Sequence, residues 1–142
     1  MSIVEITRRE EFCASHRLHN TALSDAENLR IFGICNNAHG HGHNYQLEVT
    51  IRGEVPAETG MVMNLNDLMQ ILRDRVVQAL DHKHLNHDVP FLAGLVTTAE
   101  NVAIAIWDQI ADDIAATGGA RLHRVRLYES QANLVDYYGP TA

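Results

Sequence analysis

His43-Asn44-Tyr45-Gln46-Leu47-Glu48-Val49-Thr50-Ile51-Arg52 decides the fold class. His43, Tyr45, Leu47, Val49 and Ile51 fall on one side of an extended chain; Asn44, Gln46, Glu48, Thr50 and Arg52 fall on the other. Strict alternation with period two predicts a half-buried strand over 43–53 in an antiparallel sheet. Working outward, 3–18 predicts an earlier strand on which Phe12, Ala14, His16 and Leu18 share a face, with Cys13 of opposite parity read as a packing residue. Over 66–80, Leu68, Leu72, Val76 and Leu80 recur every four residues, which predicts a helix with Asn66 as its N-cap. A second helix is predicted over 98–117 from Val102, Ile106, Ile110 and Ile114, with Thr97-x-x-Glu100 at capping-box spacing and Gly118-Gly119 as its stop. His123, Val125, Leu127 and Glu129 then alternate with Arg124, Arg126 and Tyr128, and 133–138 follows as a last strand. The expected order is ββααββ, an α+β domain with helices on one face of a four-stranded antiparallel sheet.

The chain of 142 residues is read as one domain, 1–142, without repeat or linker. Its longest apolar run, Val102 to Trp107, is far too short to cross a bilayer, and the start lacks an apolar signal region, so the expected compartment is the cytoplasm. A net charge of −7 argues against a general nucleic-acid or anionic-membrane binder, which needs a basic face. Two cysteines, Cys13 and Cys35, are too few for a disulfide framework and are expected as free thiols.

Histidine is the unusual component. There are 9, grouped as His16/His19, His39/His41/His43 and His82/His84/His87, with His123 apart. Alternation puts His41 and His43 on one face of the strand, and His16 lies on the same face of a neighbouring strand. Three imidazoles from two strands suit an open zinc site whose fourth position takes water or a substrate oxygen; a solvated His-rich turn is the plainer alternative. Cys35, six residues before His41, is either an activated thiol near that site or a small packed residue. Asp81-His82 is either an oriented acid–base pair or a helix C-terminus. Glu100 is either part of a capping box or a ligand contact near a helix start. Glu129, on an apolar face, needs a partner, either an arginine or an amidine-like ligand edge.

Several blocks in order carry a resemblance: Ala14-Ser15-His16-Arg17-Leu18, Leu23 to Leu29, Phe32-Gly33-Ile34-Cys35-Asn36-Asn37, Gly40-His41-Gly42-His43-Asn44-Tyr45, Thr59 to Leu65, Leu80-Asp81-His82-Lys83 and Thr97-Thr98-Ala99-Glu100-Asn101-Val102. Over about residues 11–138 the chain resembles the 6-pyruvoyl-tetrahydropterin synthase family, including its 6-carboxy-tetrahydropterin branch. The resemblance implies the tunnelling fold (T-fold), in which three subunits close a twelve-stranded barrel and two trimers stack as a homohexamer, so that no sheet edge stays open. It implies zinc held by His16, His41 and His43, and Cys35 as general base tuned by Asp81 and His82 of a neighbouring subunit. It implies Glu129 anchoring a pterin, with Thr98 and Glu100 nearby. The implied substrate is 7,8-dihydroneopterin triphosphate and no redox cofactor is needed. Cys13, Ala26 and Ala38-His39 depart from the family's usual residues without touching those positions, and His39 is read as a variant loop residue. The spacing from Cys35 to His41 favours the pyruvoyl product over the carboxy one. A non-catalytic zinc- or pterin-binding module would not need Cys35, Asp81 and His82 together. A local basic mouth for the triphosphate is expected from Arg8, Arg9, Arg17 or Arg30.

Overall fold

A computed structural model describes residues 2–141. The elements in chain order are β1 (Ile3–His16), α1 (Asp25–Phe32), β2 (His41–Glu54), α2 (Leu65–Leu72), α3 (Gln78–Leu80), β3 (Lys83–His84), α4 (Ala99–Ala115), β4 (Ala120–Tyr128) and β5 (Leu134–Tyr137). The sheet order is β3-β1-β2-β4-β5, with β3 parallel to β1 and every other pairing antiparallel.

This corrects the expected four-stranded ββααββ arrangement in two places. The sheet is five-stranded and mixed, because Lys83 and His84 pair with Ala14 and Ser15. Two residues are too few to show a period, so no pattern announces such a strand. An unexpected helix, α1, lies between β1 and β2. It has no apolar stripe: Asn28 is its buried residue, and Leu29 and Ile31 are exposed. Its legible mark is the start, where Ser24 Oγ accepts from Glu27 N–H at 3.2 Å and donates to Glu27 Oε1 at 3.3 Å.

The core is one layer of side chains between the sheet and the helices. Tyr45, Leu47, Val49 and Ile51 of β2 and Val125 and Leu127 of β4 meet Leu68 and Leu72 of α2 and Val102, Ile106, Ile110 and Ile114 of α4. The strict four-residue spacing of Leu68, Leu72, Val76 and Leu80 exceeds the 3.6 residues of an α-turn, so a straight helix would rotate this stripe off the core. A wider π turn over Arg73–Val77, between α2 and α3, absorbs the excess and keeps Val76 and Leu80 buried. Arg73 at that turn reaches Glu10 at 3.4 Å, and Arg8 holds the same carboxylate at 3.0 Å, which explains the polar stretch within β1.

Four local expectations are also corrected. The N-cap of α2 is Asn64, whose Oδ1 accepts from Asn66 N–H at 2.9 Å. Thr98, not Thr97, caps α4, through Asn101 N–H at 3.2 Å. Cys13 is exposed rather than packed, since the helices cover only the opposite face of β1. A register shift opposite Thr50/Ile51 leaves His123 out of the pairing, so it does not share the regular alternation of Val125 and Leu127.

Candidate active site

His16 and His41 are direct cross-strand partners at the end of the β1–β2 ladder, and His43 lies opposite Ala14. Period-two alternation sends all three rings to the helix-covered face. One ring nitrogen from each lies within 4.8 Å of the other two, with His16 Nε2 and His41 Nε2 3.2 Å apart. Gly40 makes the approach possible: its φ is +76°, and a Cβ there would stand 2.8 Å from the His16 carbonyl oxygen.

The environment suits neutral imidazoles. His16 is 1% exposed, and burial is the main cause holding its pKa down to about 4. Its Nδ1 lies 2.7 Å from the Thr97 carbonyl, which fixes Nδ1–H as donor and leaves the Nε2 lone pair free to face His41. Burial likewise lowers the pKa of His43. His43 Nε2 is buried with no hydrogen-bond partner among the described residues, and its nearest carboxylate oxygen, Glu129 Oε1, is 3.8 Å away. An orphaned ring nitrogen beside two converging imidazoles fits a metal ion, and three ring nitrogens are a donor set that divalent transition metals, zinc among them, accept.

Glu129 follows β4, with its N–H bonded to the Asn133 carbonyl at 3.0 Å. Among the described residues no arginine pairs with it; the ionisable group beside it is the His43 ring, 3.8 Å away. It lines a cavity of about 280 Å³ together with Thr98, Glu100 and Leu18. Because Thr98 caps α4, Glu100 is in the first turn and outside any Thr97 capping box.

Cys35 sits in a 3₁₀ turn over Gly33–Asn36, half-buried and free. Its carbonyl accepts from Leu18 N–H at 2.9 Å, which ties the turn to the chain two residues beyond His16. Asp81 and His82 are elsewhere. Asp81 Oδ1 accepts from Cys13 N–H at 2.8 Å, and that bond leads the causes lowering its pKa. His82 Nδ1 is 2.9 Å from Asp81 Oδ2, and its side chain is 83% exposed with φ of +59°. Within one chain the pair therefore flanks the edge of β1 rather than the histidine cluster. His39 is exposed and outside the cluster.

The sequence model of the family described as 6-pyruvoyl tetrahydropterin synthase matches residues 5–140. The chain belongs to this family. The 6-pyruvoyl tetrahydrobiopterin synthase of Homo sapiens is 48% identical to this 6-pyruvoyl tetrahydropterin synthase family member over 135 residues, 95% of this chain and 91% of that protein. The solved structure of the 6-pyruvoyl tetrahydropterin synthase of Caenorhabditis elegans superposes with a TM-score of 0.92 at 41% identity, covering 99% of this chain and 98% of that one. A protein of Archaeoglobus fulgidus whose name assigns it to 6-carboxy-5,6,7,8-tetrahydropterin synthesis is 36% identical over 91 residues, 64% of this chain and 69% of that one.

Two supporting residues escaped the sequence reading. Thr97 is fully buried and orients His16 through its carbonyl. Asn86 accepts from Arg17 N–H at 2.9 Å, donates to the Arg17 carbonyl at 2.7 Å, and accepts from Thr97 Oγ1 at 3.2 Å. A backbone contact leaves no spacing signal; the available hint is that both are polar residues bordering apolar ones.

Proposed function

We propose that this family member is a zinc-dependent lyase converting 7,8-dihydroneopterin triphosphate to 6-pyruvoyl-tetrahydropterin with loss of inorganic triphosphate. The observation that carries the reading is the orphaned, buried His43 Nε2 between two converging imidazoles and the Glu129 carboxylate. The full-length relatives named for the pyruvoyl product support that product over the 6-carboxy one, whose named relative matches a shorter stretch at lower identity.

His16, His41 and His43 would hold the zinc. When bound, the metal supplies Lewis-acid charge beside the substrate's side-chain hydroxyls, which acidifies the adjoining C–H bond. Glu129 accepts two N–H bonds from the guanidine-like edge of the pterin, while Thr98 and Glu100 line the same cavity. Cys35 takes the proton from the side-chain carbon, and its loop is anchored next to His16 for that purpose. Asp81 and His82 of a neighbouring subunit tune the thiol, which accounts for their exposed place at the β1 edge. The terminal strands β3 and β5 leave sheet edges that closure into a trimeric barrel, doubled as a homohexamer, would pair. Two free cysteines suit the reducing cytoplasm.

The test is product identification by mass spectrometry after the zinc-loaded protein meets 7,8-dihydroneopterin triphosphate. A 6-pyruvoyl product with free triphosphate is expected. A 6-carboxy product with acetaldehyde would move the chain to the deazapurine branch with the same site. Unchanged substrate on zinc-loaded protein would leave a binding module.

A further inference from the structure

A second cavity, of about 340 Å³, opens beside the histidine cluster, and Arg17, His19, His84 and His87 are among the residues that line it. No carboxylate lines it, although acidic residues outnumber basic ones, 18 to 11, in the whole chain. The carboxylate beside it, Asp88, is engaged by the His84 backbone N–H at 2.9 Å, so one guanidinium and three imidazoles around a space with no carboxylate in its lining form a place for an anion.

Hydrogen bonds at Nδ1 fix the tautomers of two of these rings when neutral. His84 Nδ1 lies 3.3 Å from Asn86 N–H, which can only donate, so the ring proton of a neutral His84 belongs on Nε2. His19 Nδ1 lies 2.9 Å from Asn36 Nδ2. That amide's orientation is set by Nδ2 donating to the Leu18 carbonyl at 2.8 Å and by Oδ1 accepting from Arg17 at 3.4 Å. His19 therefore also carries its proton on Nε2. His87 stacks on His84 with ring centroids 4.4 Å apart. Arg17 spends Nε and Nη2 on Asn36, leaving Nη1 uncommitted among the described residues.

The cavity adjoins the cluster of His16, His41 and His43. Asn86 bonds Arg17 on one side and Thr97 on the other, and Thr97 bonds His16. His84 Nε2 approaches Gly40, the residue before His41, lying 3.3 Å from where a Cβ would be. Arg17 lines this cavity while the next residue, Leu18, lines the one holding Glu129, Thr98 and Glu100. A ligand seated by its ring at Glu129 and by its hydroxyls at His16, His41 and His43 would send its tail this way. The other arginines expected at a basic mouth are differently placed: Arg8 pairs with Glu10 at 3.0 Å, Arg9 with Glu48 at 2.6 Å, and Arg30 lies on the exposed side of α1.

We infer that Arg17, His19, His84 and His87 form the subsite for a polyphosphate, the triphosphate tail of the substrate. This rests on the function proposed above. Free inorganic triphosphate has the same chemistry, so the experiment measures both.

The probe is inorganic triphosphate, titrated calorimetrically into the metal-saturated protein, alongside KM and kcat for 7,8-dihydroneopterin triphosphate. His87→Glu is the first variant, since His87 is exposed and lies outside the buried core; His84→Leu is the second. Both are expected to raise the triphosphate Kd and the substrate KM by roughly tenfold, with kcat little changed and a weaker salt dependence than wild type. An unchanged KM in both variants, while the wild type makes product, overturns the subsite and leaves the proposed function standing. A raised triphosphate Kd with an unchanged KM also overturns it, because the cavity then takes only the free anion. A wild type that binds triphosphate but forms no product keeps an anion site and overturns its assignment to this substrate.

Discussion

His16 and His41 stand directly opposite each other across the β1–β2 ladder, with their Nε2 atoms 3.2 Å apart. Such an approach leaves room for only one proton between the rings, so it favours two lone pairs sharing a cation. His41→Ala is expected to reduce bound zinc from about one per chain to nearly none, because a two-ligand remnant holds the ion weakly. Metal analysis after dialysis, with circular dichroism as the check on folding, measures this. Retention of stoichiometric zinc would remove His41 from the ligand set.

Glu129 shares its cavity with Thr98 and Glu100 but has no arginine partner among the described residues. Glu129→Gln keeps the shape and removes the charge. Loss of charge-assisted bonds to a guanidine-like edge should raise KM by roughly tenfold or more, with bound zinc unchanged. Steady-state kinetics with paired metal analysis separates this from a metal defect.

Cys35 is fixed through its backbone to Leu18, so removing its thiol leaves the anchoring bond intact. Cys35→Ala should lower kcat by roughly 10²–10⁴-fold, the usual worth of a general base, with melting temperature and zinc content near wild type. Normal turnover in this variant would dismiss Cys35 as the base.

The hairpin that carries Glu129 is pinned by Arg126, which holds both oxygens of its cross-strand partner Asp136 at 2.6 and 2.9 Å. These bonds are the leading cause of a lowered Asp136 pKa. The unfolded carboxyl, near pH 4, then binds its proton first as the solution is acidified, so stability rises with pH across this window. The contribution is fully present above about pH 4 and is lost as pH falls through the lower folded value. Screening at this partly exposed site limits it to about 1 kcal/mol. The difference in urea midpoint between wild type and Asp136→Asn should therefore be measurable at pH 6 and shrink below pH 4. A difference independent of pH would mean that the charge is not what matters.

Residue pattern alone determined the elements whose burial is one-sided. The alternation of Tyr45, Leu47, Val49 and Ile51, and the stripe of Val102, Ile106, Ile110 and Ile114, are imprints of a core face, and β2 and α4 follow them. The same parity placed His16, His41 and His43 on one face, because a strand's period carries polar residues as faithfully as apolar ones. Only the tertiary structure decided what depends on contacts between distant segments. The two-residue β3 exists because Lys83 and His84 dock on Ala14 and Ser15. The helix α1 buries an asparagine, which no hydrophobic period reveals. The separation of Asp81 and His82 from the histidine cluster, and the gathering of Arg17, His19, His84 and His87 around one cavity, join residues across as many as 70 positions of sequence. Such groupings arise from chain topology, and a sequence period reports only which way each side chain points from its own element.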